Sequence, residues 1–277
     1  MSKVCVSGRS RGEDQLDCML KGLAGFFRAH ATACVFAHLS MPTKAAAPLI
    51  QAVVDRHARV AVVEVEYVTQ DAAVESTVLE CTGGLSQDFV SLLQSRRPRD
   101  GAISSHLQMN RHIWLAHILA RRASPSLQYV IRTRVDNAHH VPAIDWWPKV
   151  EAAASRGAIV TGSAAAWLYA GRRSGVPEAA RCMTDDQFAA GPVGLMDGYA
   201  SLFPDFATGV HLMPWYRPDF RGHTNERSLA AHLHYRNVPF EEQYIGHAIR
   251  SFGPGCDGTR APRSQTTRAA GRGGSYG

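Results

Sequence analysis

Apolar positions along the chain alternate between two spacings. Short continuous runs at Val4–Ser7, Ala33–Leu39, Val60–Tyr67 and Leu127–Arg134 have the length and β-branched content of buried strands. Between them, apolar residues recur every three or four positions. Leu16, Met19, Leu20, Leu23, Phe26 and Phe27 predict a helix over Leu16–His30. Leu49, Ile50, Val53 and Val54 predict one over Ala45–His57, and a longer one spans Ser104–Arg122. Strands separated by helices of this size predict a parallel sheet with right-handed crossovers. Ligands of such sheets bind at the carboxyl ends of the strands. The ends to watch are Ser7–Arg9, the segment after Tyr67, and Arg134–Asp136.

The remainder is less regular. Asp71–Arg99, with Gly83-Gly84 and Arg96-Arg97-Pro98-Arg99, reads as a short helix and a loop near the site. Ala158–Gly162 reads as a strand, Val193–Phe203 and His223–Tyr235 as helices, and Phe240–Ile249 as a strand or turn.

With 277 residues, 45% of them apolar, the chain has material for one α/β domain over 1–252. Residues 253–277 carry seven glycines and four arginines and predict a disordered tail. The formal charge is +6, and this tail supplies a net +3 of it. The folded part is no more basic than many nucleotide-binding enzymes, and it has no basic stripe interleaved with aromatics, so no nucleic-acid partner is expected. The arginines of the tail could still meet acidic surfaces such as membrane headgroups. No apolar run approaches the roughly 18 residues of a membrane span, so a chain working at a membrane would dock peripherally. Six scattered cysteines without a C-x-x-C pair, and no signal peptide, predict reduced thiols and a cytoplasmic location.

The chemistry concentrates in Tyr129-Val130-Ile131-Arg132-Thr133-Arg134-Val135-Asp136. Arg132 and Arg134 share one strand face, just before an acid at the strand end. Arginines on a buried side need anionic partners. A nucleoside diphosphate is one candidate and Asp136 itself, as an ordinary strand-end salt bridge, is another. Departure of a nucleoside diphosphate is helped by a divalent cation on carboxylates, by arginines, or by both. Asp136 is the candidate ligand for such a metal, Mn²⁺ or Mg²⁺. Asp185-Asp186 suit general-base work on an acceptor hydroxyl, or equally the cap of a following helix. Thirteen histidines form no H-E-x-x-H and no Cys/His quartet, and His139, three residues after Asp136, is the best placed to join a metal. There is no G-x-S-x-G, P-loop or G-x-G-x-x-G.

In order and spacing these segments resemble the WavE-like lipopolysaccharide-synthesis proteins, GT-A-type glycosyltransferases. Asn110-Arg111 resembles the family's N-R-Q helix element, with His112 in place of the glutamine. Tyr129–Asp136 resembles its Y-V-x-K/R-x-R-x-D strand. Asp186-Gln187-Phe188 with Gly191 resembles its acidic element, and Asn225-Glu226 its later acid-containing helix start. Val4–Arg9 resembles the first strand, whose end holds the nucleotide.

The resemblance implies a GT-A-like, Rossmann-type mixed, mostly parallel sheet flanked by helices. It implies a nucleoside-diphosphate sugar as donor and a glycan or glycolipid as acceptor. Ser7, Gly8 and Arg9 would meet the nucleotide. Asn110, Arg111, Arg132 and Arg134 would meet the diphosphate or sugar, Asp136 the metal or donor, and Asp185 or Asp186 would be the base. Arg134 stands where a D-x-D motif has its first acid, so it could replace metal charge by holding the diphosphate directly. A non-catalytic sugar-nucleotide or glycan-binding module and a nucleotidyltransferase are the rival readings.

Overall fold

The computed structural model describes residues 2–9, 13–30, 32–41, 44, 47–67, 101–135, 137–139, 143–162, 184, 186–207, 225–243 and 247–249. In chain order these form β1 (Ser2–Arg9), α1 (Glu13–Gly22), α2 (Ala24–Ala29), β2 (Cys34–Met41), α3 (Ala47–Arg56), β3 (Val60–Tyr67), α4 (Gly101–Ala123) and β4 (Tyr129–Arg134). There follow β5 (Asn137–His139), α5 (Ala143–Ser155), β6 (Ile159–Gly162), β7 (Phe188–Pro192), α6 (Val193–Ala200), α7 (Leu202–Ala207), α8 (Asn225–Tyr235), β8 (Phe240–Gln243) and β9 (His247–Ile249).

A seven-stranded sheet runs β3-β2-β1-β4-β7-β6-β8, and β5 and β9 form a separate antiparallel pair. β1, β2, β3 and β4 are mutually parallel, β7 is antiparallel to both its neighbours, and β6 and β8 are parallel. This is the mixed, mostly parallel α/β architecture expected from the sequence. Two apolar cores lie on opposite faces. One gathers α1, α2, α3 and α5 against Val6, Val35, Ala37 and Ile131. The other gathers α4, α6, α7 and α8 against Cys5, Phe36, Val130 and Ala189.

The split between α1–α3 and α4 follows from chain direction. From β1 the chain winds outward through β2 to β3, then returns through α4 to place β4 on the other side of β1. Right-handed crossovers of opposite direction put their helices on opposite faces. The carboxyl ends of β1 and β4 lie side by side where the winding reverses, the place where such sheets take ligands. Ser7–Arg9 ends β1 and Arg134 ends β4, while Asp136 lies outside the described residues. Pairing continues past β4: the Val135 amide donates to the Ser7 carbonyl at 3.1 Å.

Several elements depart from expectation. The single helix read over Leu16–His30 is two, broken at Leu23. Residues after Asp186 form β7 rather than a helix, so the capping role for that acidic pair fails. Thr184 instead donates its hydroxyl to Thr161 Oγ1 on β6 at 2.8 Å. Gly191 in β7 has a packing reason: a Cβ there would lie 2.7 Å from Cγ2 of Ile159 on β6. Cys5 and Cys34 are free, but Cys18 is in a disulfide whose other half lies outside the described residues, which corrects the expectation of reduced thiols throughout. No described helix is long and apolar enough to cross a membrane. The Asp71–Arg99 segment and the 253–277 tail lie outside the described residues.

Candidate strand-end anion and metal site

Register fixes which side chains meet at the crevice. Cys5 aligns with Phe36 on β2 and Arg132 on β4, and Ser7 aligns with His38 and Arg134. Since aligned residues of parallel strands point to one face, and alternate residues share it, all of these face the α4 side. Toward the amino ends that face is apolar, and toward the carboxyl ends it turns polar. Strand spacing of about 4.8 Å puts His38, Ser7 and Arg134 in one row roughly 10 Å wide. Over the row lies α4, with Gln108, Asn110 and His112 buried and Arg111 half-buried. Arg134 Nη1 approaches Met109 Sδ of α4 at 3.6 Å.

Arg132 is the deepest of the basic groups, 1% exposed. None of its three guanidinium nitrogens has a hydrogen-bond partner among the described residues, and neither does the buried Ser7 hydroxyl one row nearer the rim. Leaving a buried charge unpaired costs several kcal/mol, on the order of the desolvation penalty of one ion. A guanidinium in that setting calls for an anion.

On the other side of Ser7 sits a second group. His38 of β2 and His112 of α4 face each other with Nδ1 to Nδ1 at 2.8 Å, so one of these nitrogens is protonated and donates to the other. Glu66 of β3 lies 3.6 Å from His38 Nε2, and Arg111 Nη1 donates to the same Glu66 oxygen at 2.7 Å. Burial is the main cause that depresses both imidazoles. His38 is lowered despite the raising effect of Glu66. His112 falls to about 3, helped by His38 and Arg111. Both rings are therefore neutral at physiological pH.

The residues singled out from sequence divide accordingly. Ser7, Arg132 and Arg134 share the sheet face under α4, Arg111 of α4 reaches that side through Glu66, and Asn110 is buried on α4. Gly8 and Arg9 continue β1 in register with Leu39 and Ser40. Asp186 is buried just before β7. Asp136 and Asp185 lie outside the described residues, and so does the side chain of His139. The His38–Glu66–His112 group was missed. Its members come from three different elements, so no spacing betrays them. The one signal was an odd polar residue in each setting: His38 inside an apolar strand, and His112 where the resemblance expects glutamine.

A Ser–His–acid arrangement elsewhere is structural. Ser201 Oγ is 3.3 Å from His232 Nε2, and His232 Nδ1 is 3.4 Å from Asp205. Yet His232 Nε2 lies 2.8 Å from the Gly198 carbonyl, and Ser201 Oγ donates to that same carbonyl at 2.9 Å. The carbonyl accepts from both, so the imidazole holds a proton where a base needs a lone pair. Asp205 is clamped by Arg236.

Fold and site together define an α/β protein with buried basic and polar groups where the winding of its mixed sheet reverses. No family model matches the chain, so the likeness to WavE-like proteins rests on the motifs that carry it; no curated protein matches either. Solved structures similar to it include mouse xyloside xylosyltransferase 1 in its apo form, at 10% identity, covering 88% of this chain and 85% of that one with a TM-score of 0.46. The galactosyltransferase LgtC with donor and acceptor sugar analogues is another, at 10% identity, 87% and 73% coverage and a TM-score of 0.44. A third is core-mannan synthase A (CmsA/Ktr4) from Aspergillus fumigatus in an Mn/GDP form, at 10% identity, 84% and 69% coverage and a TM-score of 0.39. At such identities and scores these likenesses assign no activity to this chain.

Proposed function

We propose that the chain is a glycosyltransferase that takes its sugar from a nucleoside-diphosphate donor at the β1/β4 crevice. The observation that supports it most is the buried Arg132 guanidinium, unpartnered among the described residues, beside Arg134 and the Ser7 hydroxyl. A diphosphate would supply the negative charge that the Arg132 guanidinium lacks among the described residues. In the transition state the sugar–phosphate bond breaks, and charge grows on the diphosphate that Arg132 and Arg134 face. Donors already aimed at that charge lower the barrier more than they tighten the ground state.

In this reading Ser7, Gly8 and Arg9 hold the nucleotide, and Asn110 and Arg111 of α4 hold the sugar. Asp136, directly after Val135, carries a divalent cation (Mn²⁺ or Mg²⁺) or the donor sugar. Asp185 or Asp186 takes the proton of the acceptor hydroxyl if the anomeric centre inverts. The resemblance points to a glycan or glycolipid acceptor in surface polysaccharide synthesis.

The test is a thermal-shift panel of nucleoside-diphosphate sugars against nucleoside triphosphates, since a ligand that binds only the native state raises its melting temperature. Stabilisation by a diphosphate sugar, followed by donor hydrolysis or transfer with added Mn²⁺, supports the proposal. Stabilisation by triphosphates alone would turn the reading to nucleotidyl transfer. Binding without any turnover would leave a non-catalytic module.

A further inference from the structure

The group beside Ser7 is built for a different ligand. Nitrogens of His38 and His112 and a carboxylate oxygen of Glu66 all lie within 4.8 Å of one another. Tetrahedral donors around a Zn²⁺ ion, with bonds of about 2.0–2.2 Å, sit roughly 3.4 Å apart. The facing Nδ1 atoms, 2.8 Å apart and bridged by a proton, must lose that proton and part by about half an ångström to share an ion. Glu66, 3.6 Å from His38 Nε2, must swing toward the Nδ1 side; its side chain is 29% exposed, against 4% for His38.

We propose that His38, Glu66 and His112 form a binding site for a divalent first-row transition cation, with Zn²⁺ as the probe. Two imidazoles and one carboxylate suit Zn²⁺ or Fe²⁺ far better than Mg²⁺, which prefers oxygen donors. Arg111 takes the outer role: its bond to Glu66 orients the ligating carboxylate, as second-shell partners do. The cation joins β2, β3 and α4, the elements bounding one side of the crevice, and through Glu66 fixes Arg111. The site stands or falls independently of the sugar-nucleotide reading.

The experiment uses tag-free full-length protein stripped with a chelator and titrated with ZnCl₂ by calorimetry, alongside His38→Gln, Glu66→Gln, His112→Gln and Asp136→Asn. About one Zn²⁺ per chain is expected. Each of the three ligand variants should weaken binding by at least the roughly 10–100-fold that losing an outer-shell partner costs. Failure of the wild type to bind, or undiminished binding in the three variants, overturns the proposal. Loss of binding in Asp136→Asn alone would also overturn it, by moving the cation to Asp136. Should the variants not fold, X-ray absorption of the Zn²⁺-loaded wild type decides. Imidazole scattering from two ligands supports the site, and an all-oxygen shell refutes it.

Discussion

Burial of the His38–His112 pair gives the metal-free protein a distinctive response to acid. His112 has its pKa lowered from 6.5 to about 3 in the fold. A depressed imidazole means that the unfolded chain binds the proton first. Stability is thus intact above pH 6.5 and is lost as pH falls from there toward 3. The full span is worth up to about 5 kcal/mol at 1.36 kcal/mol per pH unit. Between pH 7.5 and 5.5 the linkage integral is about 1.4 kcal/mol from His112 alone. For a chain of this size that is roughly 3–6 °C in melting temperature. His38 shifts in the same direction and adds to the loss. Urea unfolding of chelator-treated wild type and His112→Gln at pH 7.5, 6.5 and 5.5 measures the effect of the pair, because titrating groups away from it cancel in the difference. Wild type should lose more stability on acidification than the variant does. Equal losses would refute the claim that this ring is buried neutral.

Arg132→Met should abolish stabilisation by nucleoside-diphosphate sugars while leaving the ligand-free melting temperature unchanged or higher, since it removes an unpaired buried charge; a large drop in ligand-free stability would mean that the guanidinium is paired within the protein. Asp136→Asn should eliminate transfer and donor hydrolysis with the circular dichroism spectrum intact, and near-normal turnover would sink that assignment. Gly191→Ala should cost about 1–3 kcal/mol in denaturant unfolding by overpacking against Ile159. Thr161→Val should cost about 1–3 kcal/mol by orphaning the Thr184 hydroxyl, and adding Thr184→Val should restore part of it; no recovery in the double variant would discount that bond.

What could be seen in the sequence was whatever a short window encodes. The strands β1 to β4 and helices α3 and α4 announced themselves because each carries its own period of apolar residues. Their order then located the crevice, and Arg132 and Arg134 followed from parity along one strand. α5 escaped notice although Trp146, Val150 and Ala153 keep a helical spacing, because Pro148 interrupts it. β7 escaped because Phe188–Pro192 is short, holds a glycine and is recognised as a strand only through its partners β4 and β6. The metal group is the extreme case. His38, Glu66 and His112 are separated by 28 and 46 positions, so only the sheet register and the seating of α4 bring them together.

The central place of β1 has a consequence for how the chain is made. One edge of β1 closes early, against β2, whose partner residues are about 31 positions away, as Lys3 is from Cys34. The other edge waits for β4, where Ser2 pairs with Tyr129, about 127 positions later. At about 5–20 residues per second, the ribosome needs roughly 6–25 s to deliver that partner. Until then a strand lined with Cys5 and Ser7 offers an open ladder of peptide groups to any other strand. The candidate anion site thus shares its inner wall with the edge of β1 that closes only when β4 arrives, so a nascent chain stalled before Tyr129 should be held by chaperones longer than one stalled after Arg134.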